Sequence, residues 1–361
     1  VTRPSSPPPV ALADYERLAL ERMTARAEAY VNGGAADEIT LRENRAAFDR
    51  LRLTSAVLRD LSGATTRTRL LGLELDHPIL LAPVAFQKLV HPEGEIAAIQ
   101  GAGAARAAAV VSTQASIALE DIAAAASTPL WFQLYIQPDR PFTRDLVARA
   151  VAAGYRALVV TVDAPASLRN REQRAGFHLP PGVEAVNLKG MAARRDAPAA
   201  VGDSPLFSGF LSGAPTWDDL AWLRGLSDLP IVLKGILAPG DARRAVEAGA
   251  QGLIVSNHGG RILDTLPATI DALPAIADAT RGEIPLLLDG GIRRGTDIVK
   301  ALARGATAVL IGRPYVHALA AAGAVGVAHA VHLLRAELEV AMAVTGCARL
   351  DEIDGSVLWT A

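Results

Sequence analysis

The chain has 361 residues, half of them hydrophobic, with 36 basic and 38 acidic side chains that nearly cancel to a formal charge of −2. Such a balance supplies no broad positive field, which argues against nucleic acid as a partner. A single cysteine, Cys347, rules out a disulfide framework, and no Cys/His cluster at ligand spacing suggests a metal site.

The opening VTRPSSPPP lacks an apolar run of signal-peptide length and reads as a disordered tail over residues 1–10, ahead of one domain spanning 11–361. No run approaches about 18 consecutive apolar residues, so no membrane-spanning helix is expected. Together with the cysteine usage this points to the cytoplasm. Residues 10–62 carry helical patterns, LADYERLALERMTARAEAYV and DEITLRENRAAFDRL, expected to cap one end of the domain.

From residue 79 a single rhythm takes over, a short apolar run ending in a polar residue or Gly, then a stretch with helical periodicity. The runs are ILLAPVA (79–85), AVVST (109–113), PLWFQLYI (129–136), ALVVTVDA (157–164), PIVLKGI (230–236), GLIVSN (252–257), PLLLDGG (285–291) and AVLIGR (308–313). Their Val, Ile and Leu content with little alternation suits parallel strands covered on both faces. Intervening segments such as TRDLVARAVAAG, PGDARRAVEAG and TDIVKALARGA open on helix-start residues and close at Gly. Eight such units with right-handed crossovers close most simply into a (β/α)8 TIM barrel, an α/β fold. An open doubly wound sheet is the rival, but no G-x-G-x-x-G follows the first strand. Residues 165–216, after the fourth strand, are too long for an ordinary βα loop and read as a lid or as an excursion without function. The segment 324–346 is helical by periodicity, either the eighth barrel helix, a contact between copies, or both.

In such a barrel the chemistry gathers at the C-terminal ends of the strands. Those ends carry Ala85, Gln114, Gln133 with Tyr135, Thr161 with Asp163, Lys234, Ser256 with His258 and Arg261, Asp289 with Arg293, and Gly312 with Arg313. Each alone is weak, and a lone histidine is more often structural; the shared placement is what counts. In DGGIRRG and IGRP, glycines let the backbone approach a phosphate while Arg293 and Arg313 supply charged donors, unless these are only tight turns with surface arginines. Lys234, inside PIVLKGI, needs a negative partner or loses its proton. It reads as a Schiff-base amine or as a cation facing an electron-rich group.

SNHGGRILD and LLLDGGIRRGTDIVKALARGATAVLIGRP, with APVAFQKLVHPEGE and WFQLY, resemble the FMN-dependent (S)-2-hydroxy acid oxidases and dehydrogenases, the family of glycolate oxidase, lactate oxidase and mandelate dehydrogenase. The resemblance runs from about residue 11 to residue 353 and implies FMN as cofactor. It implies that backbone at Pro83, Val84 and Ala85 faces the flavin, that Ser112, Gln133 and Thr161 hydrogen-bond its ring, and that Lys234 lies at the N1–C2 edge. Ser256 would contact the ribityl chain or ring edge, Asp289 the ribityl hydroxyls, and Gly291, Arg293, Gly312 and Arg313 the phosphate. Arg261 and Tyr30 would take the substrate carboxylate, Tyr135 would bond near the substrate oxygens, and His258 would remove a substrate proton with Asp163 stabilising its cation. Which proton leaves first, from oxygen or from carbon, stays open.

Two departures from the family pattern stand out. After the fourth strand TVDAPASLRNREQRAGF is one residue short, so the second carboxylate-binding arginine is Arg169 counted back from Phe177, or Arg171 if the Arg-Glu pair is matched. Arg169 is preferred, because that register also aligns Glu172 with a customary acidic position. Gln114 stands where glycolate oxidase-like members carry a bulky aromatic, leaving pocket shape and the particular hydroxy acid open. An attached haem domain would need roughly 100 more residues, whereas few precede the first helical pattern. The expected reaction is therefore oxidation of an (S)-2-hydroxy acid with O2 as acceptor and H2O2 as product, in a homotetramer or homo-octamer. The alternatives are a dehydrogenase using another acceptor, an isomerising barrel with Lys234 as amine catalyst, and a flavin-binding protein without turnover.

Overall fold

The computed structural model describes residues 8–191, 204, 206–207, 211 and 214–360. Three helices lead: α1 (Leu12–Leu20), α2 (Ala25–Asn32) and α3 (Ile39–Arg50). The first sequence pattern is thus two helices, because Thr24 restarts the chain as an N-cap, accepting the Ala27 amide at 3.2 Å. A hairpin of β1 (Thr68–Leu70) and β2 (Leu73–Leu75) follows. Then come β3 (Ile79–Leu81), β4 (Ala109–Ser112), β5 (Leu130–Leu134), β6 (Leu158–Thr161), β7 (Ile231–Ile236), β8 (Gly252–Val255), β9 (Leu286–Leu288) and β10 (Ala308–Ile311). All eight are parallel, and β10 pairs back onto β3 to close the barrel.

The strands are joined by α4 (Gly94–Ala104), α5 (Leu119–Ala124), α6 (Arg140–Ala152), α7 (Asn170–Arg174) with α8 (Trp217–Arg224), α9 (Pro239–Glu247), α10 (Thr269–Thr280) and α11 (Gly295–Ala303), and α12 (Arg313–Thr345) follows the last. Part of the expected lid, and residues 1–7 of the expected tail, lie outside the described residues; Pro8 to Val10 carry no helix or strand. Helix α12 is long and apolar enough to cross a membrane by length and composition, and most of that stretch is buried in the fold. It also bends at Ala322 and Gly323, whose backbone leaves the helical region.

Alternation along the strands builds two cores. Leu80, Val110, Trp131, Val159, Val232, Ile254, Leu287 and Leu310 point into the barrel, with Leu70 and Leu75 of the hairpin packed against them. Their neighbours, such as Leu81, Phe132, Leu233 and Val255, point outward under the helices. Because side chains alternate with period two, the next inward position on each strand sits one layer higher. There the chain places Ser112, Gln133, Thr161, Lys234, Ser256, Asp289 and Gly312. Register aligns Ser112 with Gln133 and Thr161 with Lys234, so these groups form one ring above an apolar plug.

Trp131 is completely buried in that plug and its indole nitrogen has no hydrogen-bond partner, so its contribution is packing alone. Trp131→Ala is expected to cost about 3–5 kcal/mol, read from denaturant unfolding. A loss under about 1 kcal/mol would contradict a filled interior.

Candidate active site

Above the polar ring a cleft of about 340 Å³ opens at the C-terminal mouth of the barrel, a volume within the range of small-molecule sites. Its wall contains Tyr30, Pro83, Val84, Ala85, Ser112, Gln133, Tyr135, Thr161, Arg169, Lys234, His258, Arg261, Asp289, Gly291, Arg293, Gly312 and Arg313. These come from α2, from the C-terminal ends of the strands with the loops after them, and from the start of α12. Two of the sequence candidates, Asp163 and Ser256, stand behind the wall. The Ser256 hydroxyl oxygen accepts from Lys234 Nζ at 2.7 Å and from the His258 amide at 3.0 Å, so it supports two site residues instead of facing the cleft.

His258 lies just past β8 with φ of +57°, a left-handed conformation uncommon for a residue with a side chain. Its amide bond to Ser256 and the bonds from the Gly260 amide to the Asn257 carbonyl and side chain hold that turn. The imidazole Nδ1 is 3.0 Å from Asp163 Oδ1. Burial lowers the His258 pKa below its ordinary 6.5, with the charges of Lys234 and Arg261 acting the same way, while Asp163 opposes. Burial alone would raise the Asp163 carboxyl, but the charge and hydrogen bond of His258, with Lys234, hold it below its ordinary value. An ionised Asp163 can only accept, so Nδ1 carries the proton of the neutral ring and Nε2 is the basic nitrogen.

Lys234 Nζ is 3.0 Å from Asp289 Oδ2, both nearly inaccessible to solvent. Burial works against the ammonium, but Asp289 and Asp163 outweigh it and raise the Lys234 pKa. A lysine whose ammonium is paired with Asp289 and bonded to Ser256 is a poor Schiff-base nucleophile, which argues against the amine-catalyst reading. Around the same ring Ser112 donates to Gln133 Oε1 at 3.2 Å, and Gln133 Nε2 donates to Thr161 at 3.0 Å.

Two guanidiniums form the outer side. Arg261 donates to the carbonyls of Tyr30 and Gly33 at 2.5 and 2.9 Å, and reaches Glu172 Oε1 at 3.0 Å. Arg169 reaches the same Glu172 oxygen at 3.4 Å, and its buried Nε has no partner among the described residues. The Arg261 guanidinium lies 5.0 Å from the centre of the Tyr30 ring, which stacks on Phe177 at 4.8 Å. Arg171 instead pairs with Glu28 and Glu38, each at 3.1 Å, and does not line the cleft. The geometry therefore favours Arg169 over Arg171. The bridging role of Glu172 was missed, although its place three residues past Arg169 at the start of α7 was a usable signal. Gln114, Phe177 and Leu179 complete the wall on this side.

Arg313, beside Arg261, and Arg293 also line the cleft. Burial, then the neighbouring charges of Arg261 and Arg293, push the Arg313 pKa down to about 9. Arg313 donates to the carbonyls of Val31, Gly259 and Gly33, and Arg293 to that of Ile292. Gly291 must be glycine: its φ is +94°, and a Cβ there would sit 2.1 Å from the Asn44 carbonyl oxygen.

The FMN-dependent dehydrogenase family matches residues 19–360 of this chain. The chain belongs to that family. It is 51% identical to L-lactate oxidase of Nostoc sp., with 97% of this chain and 98% of that protein covered. It is 41% identical to glycolate oxidase of Spinacia oleracea over 95% and 94% of the two chains. Among solved structures, mandelate oxidase with benzoyl-formic acid superposes with a TM-score of 0.88 at 42% identity, covering 98% of this chain and 99% of that one.

The residues present fit FMN. Asp289 Oδ1 is buried without a partner among the described residues, as a hydroxyl acceptor awaiting a donor would be. Two cations lining the cleft, Arg293 and Arg313, whose side-chain hydrogen bonds among the described residues go to backbone carbonyls, suit a phosphate dianion. Between them and the ring of polar side chains the cleft is continuous.

The division between the two arginines is open to test. Arg169→Leu is expected to weaken carboxylate binding roughly tenfold to a hundredfold, the worth of a charged hydrogen bond. Arg171→Leu should leave that affinity within about twofold and change stability by about 1 kcal/mol or less. Titration calorimetry with pyruvate reads both, and the reverse ranking would contradict the assignment.

Proposed function

We propose that this enzyme oxidises an (S)-2-hydroxy acid to the 2-oxo acid with dioxygen as the final acceptor. One observation carries the reading: a carboxylate-backed basic imidazole and a pair of guanidiniums face the same cleft. The names of the relatives, L-lactate oxidase and glycolate oxidase, support it.

Bound FMN supplies a two-electron acceptor that dioxygen can reoxidise with release of H2O2. Ser112, Gln133, Thr161 and Lys234 would hold its ring with the backbone of Pro83 to Ala85, Asp289 its ribityl chain, and Gly291, Arg293, Gly312 and Arg313 its phosphate. The Lys234 ammonium offers fixed positive charge where negative charge accumulates, and Asp289 keeps it protonated.

Arg261 and Arg169 take the substrate carboxylate and so fix which carbon faces inward. Tyr30 and Tyr135 have pKa values raised, first by burial, so both phenols stay protonated and act as donors. His258, neutral near pH 7, receives the substrate proton at Nε2. Asp163 then faces an imidazolium and stabilises it. Phe177 and Leu179 add apolar surface to the cleft wall. Homo-oligomerisation and a cytoplasmic location belong to the same proposal. The first is supported by a groove in which Val10, Val340 and Val344 are largely exposed.

Anaerobic mixing of the FMN-loaded enzyme with a panel of (S)-2-hydroxy acids should bleach the flavin, and admitted oxygen should restore it with one H2O2 per turnover. Flavin that no hydroxy acid reduces would sink the proposal; flavin that is reduced but reoxidises slowly in air would point to another acceptor. His258→Ala should keep FMN and lose the bleaching.

Asp163→Asn should lower turnover by about 10²–10⁴-fold. The acid limb of its kcat/KM profile should also move to lower pH, because Asp163 is the group that raises the His258 pKa. A limb that moves upward would contradict the pairing.

A further inference from the structure

We propose that Arg313 does more than neutralise phosphate: it is a positioning residue for the substrate-carboxylate clamp, acting on Arg261 through the backbone of residues 30–33. The inference rests on the proposed roles of Arg261 and of the phosphate end, and adds a physical link between them.

The link starts at the C-terminus of α2. The last carbonyls of a helix have no intrahelical partner and carry the negative end of its dipole, so they attract cations. Here they attract two. Arg261 Nη1 donates to Tyr30 O and Gly33 O, while Arg313 Nε donates to Val31 O at 2.9 Å and its Nη2 to Gly33 O at 3.0 Å. The Gly33 carbonyl oxygen therefore accepts from both guanidiniums. Arg313 Nη1 also donates to Gly259 O at 2.9 Å, in the turn between His258 and Arg261. One side chain thus joins the α2 terminus to the catalytic turn.

Charge explains why an anion would tighten this arrangement. Two guanidiniums on one carbonyl repel each other, and Arg313 also feels Arg293; these two positive neighbours act in the same direction as burial, and the carboxylates of Glu38 and Glu16 offset them only in part. Three of the five N–H groups of Arg313 are used on carbonyls, leaving two for a phosphate. A dianion beside Arg313 offsets the repulsion and so strengthens the hold of both guanidiniums on Gly33. Arg293 has no such reach among the described residues, where its side chain donates to Ile292 alone, in its own segment.

Lysine keeps the charge of Arg313 but cannot span three carbonyls in different directions. For Arg313→Lys saturated with FMN, calorimetry should show pyruvate binding about tenfold weaker than wild type, the scale of one charged hydrogen bond. KM for the hydroxy acid should rise by a similar factor with kcat little changed. For Arg293→Lys, FMN affinity should fall while pyruvate affinity of the saturated protein stays within about twofold. Equal losses in the two variants, or no loss in Arg313→Lys, would overturn the proposal.

Hydrogen exchange reads the link without substrate. The amides of Gly33 and Ala35, bonded to Ala29 O and Gly260 O, should exchange faster in Arg313→Lys than in wild type, even without FMN. Added FMN should slow them in wild type and not in the variant. Unchanged exchange would overturn the link, whereas wild type that fails to bind pyruvate would overturn the proposed function instead.

Discussion

Everything at this site depends on one geometric constraint, the period-two alternation of side chains on strands closed into a barrel. Once Val110, Trp131, Val159, Val232, Ile254, Leu287 and Leu310 fill the interior, the next inward position on each strand must face the mouth. Polar groups there could not be satisfied by solvent from below, so they satisfy one another. Ser112, Gln133 and Thr161 form one chain of bonds, and Ser256, Lys234 and Asp289 form another. The apolar plug is what gives these interactions a dry floor and a fixed geometry.

On that floor stand two pairs of a carboxylate and a basic side chain, with different tasks. Asp289 holds Lys234 charged, whereas Asp163 faces a histidine that burial keeps neutral. The difference lies in the partner's intrinsic basicity: lysine can lose part of its affinity to desolvation and remain protonated near pH 7, whereas histidine starts near that boundary. A standing cation and a base ready to become one are what an oxidation of a hydroxyl-bearing carbon requires. Charge on the substrate side is balanced too, with Glu172 shared between Arg169 and Arg261.

Much of this was legible in the chain. All eight strands fall inside the apolar runs, because parallel strands buried on both faces leave continuous Val, Ile and Leu signals. The β1–β2 hairpin was not legible, since its two-residue loop places Leu71 and Gly72 at φ of +47° and +77°, and leucine is not the residue that announces such a turn. Arg169 and Arg171 could be ranked only by counting, because the partners of Arg171, Glu28 and Glu38, are more than a hundred residues away in sequence. Ser256 was placed in the layer where it lies, but its bond to Lys234 was not legible: residue type and period fix the layer, whereas the 2.7 Å bond depends on the barrel's closure. The sharing of Gly33 by two arginines has no local signal at all.

The most direct measurement is a crystal structure of the FMN-loaded enzyme with a bound 2-oxo acid. The flavin should rest on the polar ring with an edge within about 3.5 Å of Lys234 Nζ, its phosphate on Arg293 and Arg313, and the ligand carboxylate on Arg261 and Arg169 beneath the His258 imidazole. A flavin bound elsewhere, or an imidazole and ammonium that do not share one cofactor, would contradict the convergence on which the chemistry depends.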